Sequence, residues 1–594
     1  MAASDPASVP DWERRFRAPN VGFPHWPRRA PDRLAVASNE SGSWQVYAWD
    51  RATGSRRQVT DHPLGVTSGA CTRDGEGVVW FHDTTGDEVG HWLVEDFGGG
   101  RRRPLLPGLA DAWSTGLAIG DGIVVAGTAA DDGFRVVVSE GGEPPRPLRR
   151  HPETIDVMGL SCDSTLVALQ HAEHGDNLHL AVRVLDARTG EVAGEQWDGP
   201  GRGVAAEAWS PVGGDQRLVI SHEGDGWHRP AMWDLTTGDR RDLPTGLPGD
   251  VMVADWWPDA SALLLIHDHE GRQQLFRFEL TTEELSVLDH PPGTVWDAGV
   301  RPDGEVWFRF ASGAHAASIC NLAGEVVYAP DGERAPDGQP YRSWWFSGDD
   351  GRRLHGFVVT PPTAKPHPVA MLVHGGPNMA VTDTFSPEVQ AWVDHGFAVA
   401  MVNYRGSTGY GMEFRDALIG DPGFPEVADV VCGLDRLVED GVADPNRAVA
   451  AGGSWGGYIT LLALGLHPDR WAAGVAAVPV GDYVTAYEEE APTLQAFDRS
   501  LFGGSPAEVG ALYRERSPLT YADRVRAPVL VLAGDNDSRC PIGQVLSYVE
   551  ALRARGHDVE LYRFDAGHGT LVIEERIHQM REELRFALSR LAPS

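Results

Sequence analysis

The stretch Ala448-Val449-Ala450-Ala451-Gly452-Gly453-Ser454-Trp455-Gly456-Gly457 decides the fold of the second half of the chain. It is a short apolar run, then Gly-x-Ser-x-Gly, then an apolar helix-forming run that begins at Tyr458. Small residues two before and two after the serine allow a sharp strand-to-helix turn that exposes its hydroxyl. The positive end of the following helix favours negative charge beside it. The pattern therefore predicts that Ser454 is a nucleophile.

Similar apolar runs occur on both sides of this stretch, and each ends in a loop of small or polar residues. They are Val369 to Val373, Phe397 to Val402, Val529 to Leu532 and Val559 to Phe564. Amphipathic stretches lie between them; one of these has Ile573, Ile577, Met580, Leu584 and Leu588 on one helical face. Buried strands that alternate with helices indicate a parallel sheet covered on both sides, with its chemistry beyond the carboxyl ends of the strands. The predicted class is an α/β-hydrolase.

A serine hydroxyl needs a general base, and in this class the chain order is serine, acid, histidine. His568 follows the last predicted strand and is the predicted base. Asp535 and Asp537 both follow the preceding strand. We expect Asp537 to orient His568, and Asp535 to shape the loop.

An oxyanion hole requires two N–H donors. One is predicted to be the backbone N–H of Trp455, directly after the nucleophile. The other is expected in the loop His374-Gly375-Gly376-Pro377, where glycine lets the backbone approach the developing charge. Gly376 is preferred for this role, then Gly375.

The first half of the chain is repetitive. Seven β-rich units have core strands that begin 43 to 52 residues apart, near Leu34, Val78, Ile123, Leu166, Leu218, Leu263 and Val306. A period of about 40–50 residues with glycine-containing hairpin turns indicates propeller blades. We therefore predict a seven-bladed β-propeller over residues 28–335 and the hydrolase over residues 336–594, joined near Asp337-Gly338-Gln339-Pro340.

Composition excludes several classes of function. The chain has 594 residues and a net charge of −34, which disfavours nucleic acid and anionic membrane as partners. Its one lysine, Lys365, lies in a proline-rich stretch, which argues against Schiff-base or pyridoxal chemistry. Five scattered cysteines and the absence of a signal-like or membrane-spanning run favour the cytoplasm, without disulfides, metal or cofactor. His267–Glu270 is interpreted as a solvated hairpin and not as a metal site.

Four motifs together resemble the prolyl oligopeptidase family, closest to its acylaminoacyl-peptidase branch. They are His374-Gly375-Gly376-Pro377, Asn403-Tyr404-Arg405-Gly406-Ser407-Thr408-Gly409-Tyr410-Gly411, Gly453-Ser454-Trp455-Gly456-Gly457-Tyr458 and Asn536-Asp537-Ser538-Arg539. The resemblance implies the triad Ser454, Asp537 and His568, with Gly376 and Trp455 as oxyanion donors. The prolyl and dipeptidyl branches have a tyrosine where this chain has His374, which argues against those branches.

The resemblance also implies two features of the whole chain. The N-terminal segment, residues 1–27, would pack on the hydrolase domain, and the propeller would admit only short peptides. Arg539 would bind a substrate carbonyl or acyl group, or alternatively form a loop salt bridge. Residues 483–502 correspond to the family's side-chain pocket, with Tyr487, Glu488 and Phe497 as candidate substrate contacts. If one glutamate of the Glu488–Glu490 run points inward, it would bind a free amino group and make the enzyme an aminopeptidase.

The sequence thus predicts a serine peptidase that cleaves short peptides from the N-terminal end, acting as an acylaminoacyl-peptidase or an aminopeptidase. One alternative is an amide or ester hydrolase of a small aminoacylated molecule such as an antibiotic. Another is a propeller interaction module that carries an inactive hydrolase domain. The sequence leaves homo-oligomerisation open.

Overall fold

The computed structural model describes residues 9–591. In its N-terminal part, short antiparallel strands form six sheets, and one of these, with eight strands, spans two neighbouring blades, which makes seven blades in chain order. The strands of the first four blades are β1 (Arg33–Ser38), β2 (Gln45–Asp50) and β3 (Ser55–Gln58); β4 (Ala70–Cys71), β5 (Gly77–Asp83), β6 (Val89–Asp96) and β7 (Arg103–Pro104); β8 (Ala112–Ile119), β9 (Ile123–Ala130), β10 (Gly133–Glu140) and β11 (Arg146–His151); β12 (Ile155–Leu160), β13 (Leu166–His171), β14 (Ala181–Asp186) and β15 (Val192–Gln196).

The last three blades each have four strands in sequential order. They are β16 (Val204–Trp209), β17 (Arg217–His222), β18 (Arg229–Asp234) and β19 (Arg240–Asp242); β20 (Asp250–Trp256), β21 (Ala262–His269), β22 (Arg272–Glu279) and β23 (Leu285–Leu288); β24 (Thr294–Val300), β25 (Val306–Ser312), β26 (His315–Asn321) and β27 (Val326–Tyr328).

Each of the seven predicted core strands falls in a different blade, in β1, β5, β9, β13, β17, β21 and β25. In six blades this is the second strand. In the first blade it is also the second, because Val21 and His25 form antiparallel bridges to Ser38 and Ala35 and add an inner strand before β1. The widest predicted interval, from Leu166 to Leu218, contains the loop of residues 172–180 between β13 and β14.

The C-terminal part is an eight-stranded sheet covered by helices. Its strands are β28 (Arg342–Ser347), β29 (Arg353–Val359), β30 (His367–Val373), β31 (Ala398–Asn403), β32 (Ala443–Gly453), β33 (Ala473–Ala477), β34 (Val529–Gly534) and β35 (Val559–Phe564). Helix α1 (Asp11–Arg17) precedes the propeller, and the hydrolase has α2 (Pro387–Asp394), α3 (Met412–Arg415), α4 (Phe424–Glu439), α5 (Trp455–Leu466), α6 (Tyr483–Glu489), α7 (Pro492–Phe502), α8 (Pro506–Arg516), α9 (Ile542–Ala554) and α10 (Ile573–Leu591).

The strand order is β28-β29-β31-β30-β32-β33-β34-β35, parallel from β31 to β35. Helices α4, α5 and α9 pack on one face of the sheet, and α2 and α10 pack on the other. The order reverses between β30 and β32, so the loops after these two strands meet at the carboxyl edge where ligands bind in open α/β sheets. On α10 the predicted face is buried except for Leu588, which is 40% exposed, whereas Phe586 and Ala587 are buried.

The N-terminal segment contacts both domains. Trp12 and Phe16 of α1 are buried in the hydrolase core beside α2 and α10. Arg15 forms an ion pair with Asp394, and its Nη2 donates to the Asp337 carbonyl at 2.9 Å. Residues 21–25 then join the first blade, so the segment predicted to pack on the hydrolase divides between the two domains. Residues 1–8 lie outside the described residues.

Candidate active site

Ser454 occupies a strained turn between β32 and α5. Its φ is 56° and its ψ is −124°, a conformation that favours glycine over other residues. The turn is held because the Ser454 N–H donates to the Ala477 carbonyl at 2.9 Å. A Cβ on Gly456 would lie 2.0 Å from the Val373 carbonyl oxygen, and one on Gly452 would lie 2.6 Å from it. The two glycines of the motif are therefore required by close packing against β30.

His568 and Asp537 form a hydrogen-bonded pair at the same edge of the sheet. His568 Nδ1 donates to the Asp537 carboxylate, with Oδ2 at 2.9 Å and Oδ1 at 3.0 Å. The Asp537 side chain is fully buried, and its Oδ1 also accepts backbone N–H groups of Arg539 at 2.9 Å and Cys540 at 2.8 Å. This leaves Nε2 of His568 free to act as the base.

Asp535 has a different role from Asp537. Its carboxylate accepts from Arg563 Nε at 2.7 Å, at a partly exposed position. Asp535 thus shapes the loop between β34 and α9, while Asp537 contacts His568.

The three residues predicted to form the oxyanion hole line one cavity. Gly375, Gly376 and Trp455 line the cavity that contains Ser454 and His568. Within residues 9–591, neither glycine N–H donates a hydrogen bond elsewhere. Gly376 has a φ of 129°, and a Cβ there would lie 2.9 Å from the Asn378 nitrogen, which explains the need for glycine at this position.

His374 holds this loop in place as a neutral side chain. Its ring stacks on Tyr404 with 4.1 Å between ring centroids, and its Nδ1 donates to the Gly375 carbonyl at 2.7 Å. Nε2 lies 2.9 Å from Ser407 Oγ. Burial lowers the pKa of His374 to about 4, so the ring is uncharged at neutral pH. Its hydrogen bonds fix the course of the oxyanion loop.

The Trp455 side chain is fixed by a residue that sequence reasoning missed. Its indole N–H donates to Glu426 at 3.2 Å, and the same carboxyl accepts the Gly423 N–H at 2.7 Å. Burial raises the pKa of Glu426 to about 8. Glu426 lies near the start of α4, far in sequence from the motif, and only its capping position before an apolar run was a signal.

The cavity at Ser454 has a volume of about 500 Å³ and apolar walls. Its apolar side chains are Trp455, Val480, Tyr483, Leu494 and Phe497. Of the three predicted substrate contacts in residues 483–502, Phe497 lines the cavity. Tyr487 lies outside it and accepts from Arg499 Nη1 at 3.1 Å.

Glu488 is exposed and does not line the cavity, so its role as a substrate contact stays a prediction. The inward glutamate of the run is Glu490, which follows the end of α6. Together with Asp498 on α7, it lines the cavity. Sequence reasoning missed Asp498. The helical spacing of Leu494, Phe497 and Asp498 was the one signal that could have placed these residues on a shared face.

Arg539 joins the active site to the propeller. It lines the cavity, and its guanidinium forms an ion pair with Glu88, with Nη2 and Oε1 separated by 2.7 Å. Glu88 belongs to the hairpin between β5 and β6. The same hairpin accepts a hydrogen bond from Asn536 Nδ2 at the Thr85 carbonyl, 3.0 Å away. The sequence left two roles open for Arg539, contact with a substrate carbonyl and a salt bridge within its loop. The structure shows a salt bridge, but its partner Glu88 lies in the propeller.

In the part of the chain that the structure describes, two groups of three side chains have donor atoms close enough to share a metal ion, within 4.8 Å. One is Asp537, Cys540 and His568, the acid and base described above; burial raises the pKa of the Cys540 thiol well above its usual value and keeps it protonated. The other is His171, His174 and Glu195 in the propeller. There Arg183 Nε donates to Glu195 at 2.8 Å, and its positive charge opposes a cation.

Residues 383–594 match the model of the prolyl oligopeptidase family. The similarity to this family therefore covers most of the hydrolase domain. The matched segment contains the nucleophile, acid and base positions and excludes the propeller, β28–β30 and the Gly375–Gly376 loop.

Two curated relatives and one solved structure extend this finding. The chain is 32% identical to "Uncharacterized peptidase YuxL" of Bacillus subtilis over 228 residues. This aligned segment covers 38% of this chain and 34% of that protein. It is 32% identical over 203 residues to the acylamino-acid-releasing enzyme of Arabidopsis thaliana, over 33% of this chain and 27% of that protein. The chain thus matches about a third of the length of these curated family members.

The solved structure is similar over the whole chain. A puromycin-hydrolyzing peptidase of Mycobacterium tuberculosis superposes with a TM-score of 0.84 at 22% identity, over 99% of this chain and 97% of the other. At this identity the likeness shows the fold alone. It confirms the predicted seven-bladed β-propeller joined to an α/β-hydrolase. Within residues 9–591, no helix has both the length and the apolar character needed to cross a membrane.

Proposed function

We propose that this chain is a serine peptidase that hydrolyses short peptides from the N-terminal end through an acyl-enzyme on Ser454. One observation carries the proposal. Ser454, His568 and the free N–H groups of the oxyanion loop converge on one cavity of about 500 Å³. The names of the two curated relatives, a peptidase and an acylamino-acid-releasing enzyme, support the same reaction class.

In the acylation step, His568 Nε2 takes the Ser454 proton as Oγ attacks the scissile carbonyl carbon. The carbonyl oxygen becomes an oxyanion that accepts from the N–H groups of Trp455 and Gly376. Asp537 stabilises the imidazolium through the Nδ1 hydrogen bond. His568 then protonates the leaving amine, the C–N bond breaks, and an ester to Ser454 remains.

Deacylation repeats these steps with water. His568 removes a proton from the water molecule, the hydroxide adds to the ester carbon, and the same donors stabilise the second oxyanion. The ester bond to Ser454 breaks, and the proton on His568 returns to the serine oxygen. Neither step requires a cofactor.

The preference for short peptides is supported by the propeller. Its hairpin between β5 and β6 contacts the loop that carries Asp537 through Asn536 and Arg539, so the propeller lies against the catalytic edge of the hydrolase sheet. Attack at the N-terminal end is supported by similarity to the acylamino-acid-releasing enzyme.

The two alternatives have less support. Nothing in the cavity favours a small aminoacylated molecule over a peptide end, and an inactive module would not need free oxyanion donors around a strained serine. The five cysteine thiols are free. Reducing compartments maintain thiols in that state, and we keep the cytoplasm as the proposed location.

The proposal is tested with Ser454→Ala and a serine-directed fluorophosphonate probe. We expect the probe to label the wild-type chain on Ser454, and kcat/KM for chromogenic aminoacyl amides to fall by about 10⁶-fold in the variant. Absence of labelling in folded wild-type protein would instead support the inactive module. Hydrolysis of esters and small amides without any cleavage of di- or tripeptides would support the small-molecule alternative.

A further inference from the structure

The cavity beside Ser454 contains two buried acids with no assigned role. Glu490 is 7% exposed and Asp498 is 4% exposed, and both line the cavity. Their carboxyl groups contact each other. Within residues 9–591, Glu490 Oε1 and Asp498 Oδ2 have no hydrogen-bond partner. Two unpaired carboxyl oxygens at such depth are costly unless a ligand satisfies them.

Within the described residues, no arginine or histidine forms an ion pair with Glu490 or Asp498. Arg499 on α7 is the nearest in sequence, but its guanidinium donates to Glu153 of the propeller at 2.7 Å and to Tyr487 at 3.1 Å. Arg539 is held by Glu88. Three tyrosines face the pair, Tyr458 of α5, Tyr483 of α6 and Tyr513 of α8, together with the Cys540 thiol of the catalytic loop, and all four are neutral. His568 and Arg539 line the same cavity.

The surroundings keep at least one proton on the pair. Burial raises the pKa of Asp498 to about 8, and burial together with the neighbouring Asp498 carboxyl raises the pKa of Glu490 well above its usual value. A bound cation would supply the missing positive charge and displace this proton to solvent.

We propose that Glu490 and Asp498 form a cation-binding end of the substrate cavity and select substrates with an ammonium or guanidinium group close to the scissile bond. This inference rests on the proposed peptidase function. The cavity walls support this proposal. Leu494, Phe497 and Val480 would contact the methylene groups of a long basic side chain, and the two acids would bind its charged end. The cation has two potential sources: the basic side chain of the residue that supplies the scissile carbonyl, or its free α-amino group.

Matched p-nitroanilides separate these sources. Lysine and norleucine anilides have side chains of similar length with and without the charge, and each is used with a free and an acetylated α-amino group. All four are assayed with the wild-type protein, Glu490→Gln and Asp498→Asn. Glu489→Gln is the control, because Glu489 belongs to the same run but is exposed.

If the side chain binds, wild-type kcat/KM for the acetylated lysine anilide exceeds that for acetylated norleucine by about tenfold or more. If the α-amino group binds, free norleucine exceeds acetylated norleucine by a similar factor. Either preference should disappear in Glu490→Gln and Asp498→Asn and persist in Glu489→Gln. Turnover of the acetylated norleucine anilide by the two variants would show that they are folded.

A second readout needs only wild-type protein. Raising the pH from 6 to 9 ionises the pair while a lysine side chain keeps its charge, so if the side chain binds, the ratio of kcat/KM for the acetylated lysine anilide to that for acetylated norleucine should rise. A free α-amino group loses its own proton in the same range, so this pH test applies to the side-chain source alone. Equal rates for charged and neutral partners in both comparisons, or a lysine preference that does not change with pH, would overturn the inference while leaving the peptidase proposal intact. Failure of all four substrates, together with absent labelling of Ser454, would mean that the proposed function itself is wrong.

Discussion

At the scale of single residues, backbone donors decide which carboxylate works with the histidine. Asp535 and Asp537 are two positions apart in one loop, yet only Asp537 accepts the N–H groups of Arg539 and Cys540. These bonds hold its carboxylate in the interior, where it faces Nδ1 of His568. Asp535 points the other way, toward Arg563.

The two aspartates should therefore differ in their effect on the rate. Asp537→Asn removes the charge that stabilises the imidazolium and permits the wrong tautomer, so kcat should fall by about 10⁴-fold. Asp535→Asn is the matched control and should retain nearly the wild-type kcat. Steady-state kinetics on one aminoacyl anilide measures both. Equal losses in the two variants would contradict the assignment of the acid.

Individual residues also show where sequence reasoning stops. Ser454, Asp537 and His568 follow predicted strands in an order that the fold class dictates, and the structure brings Ser454 and the Asp537–His568 pair to one cavity. The acidic run was different, because three consecutive glutamates have no periodicity. Helix α6 ends at Glu489, which turns Glu490 inward and leaves Glu488 outside. If the helix ended one residue earlier or later, a different glutamate would face the cavity, so the sequence alone could not identify the inward residue.

At the scale of elements, the propeller hairpin between β5 and β6 supports the histidine loop. A Cβ on Gly86 would lie 2.9 Å from the Gly567 nitrogen, and a Cβ on Gly567 would lie 1.7 Å from the Gly86 carbonyl oxygen. Glycine is needed on both sides of this contact. His568 follows directly after Gly567, so a displacement of the hairpin would also displace the His568 side chain.

Gly86→Ala should therefore affect catalysis and not only stability. Gly238 is a matched control, since it also lies in a propeller hairpin, with a φ of 80° against 86°, but nothing lies within 4 Å of its Cβ position. Both substitutions should cost about 1–2 kcal/mol in the free energy of unfolding, from the left-handed backbone. Gly86→Ala alone should also lower kcat/KM by about tenfold, because displacement of the base is costly. Denaturant unfolding and steady-state kinetics measure the two effects. Identical kinetics in the two variants would show that the hairpin does not influence catalysis.

At the scale of the whole molecule, the periodic features were predictable and the contacts between domains were not. Blade number followed from a repeat, and the hydrolase sheet followed from alternating apolar runs. The first blade's inner strand, residues 21–25, lay outside the periodic region and was assigned to the hydrolase side. Ion pairs such as Arg415 with Glu223 join positions 192 apart, and no local pattern encodes such a pairing.

One of these contacts should make the domain interface depend on pH. His179 of the propeller is buried between two carboxylates, Asp176 at 2.7 Å and Asp416 of the hydrolase at 3.0 Å. Burial by itself would lower the pKa of His179, but the hydrogen bonds to Asp176 and Asp416 outweigh it and raise the pKa to about 9. Because the folded pKa lies above the unfolded value of about 6.5, the contribution is complete below pH 6.5 and is lost as the pH rises through 9.

The size of this contribution follows from the shift. The rise of the His179 pKa from 6.5 to about 9 corresponds to about 3 kcal/mol in the free energy of unfolding. The difference in unfolding free energy between wild type and His179→Gln should therefore shrink between pH 6.5 and pH 9.5. Glu153→Gln, which breaks the Arg499 pair between the same domains, should show a difference that stays constant over this range, because arginine does not titrate there. Urea unfolding at five pH values measures both curves. A constant difference for His179→Gln would mean that the histidine is not charged in the folded protein, and the domain contact would then rest on the arginine pairs alone.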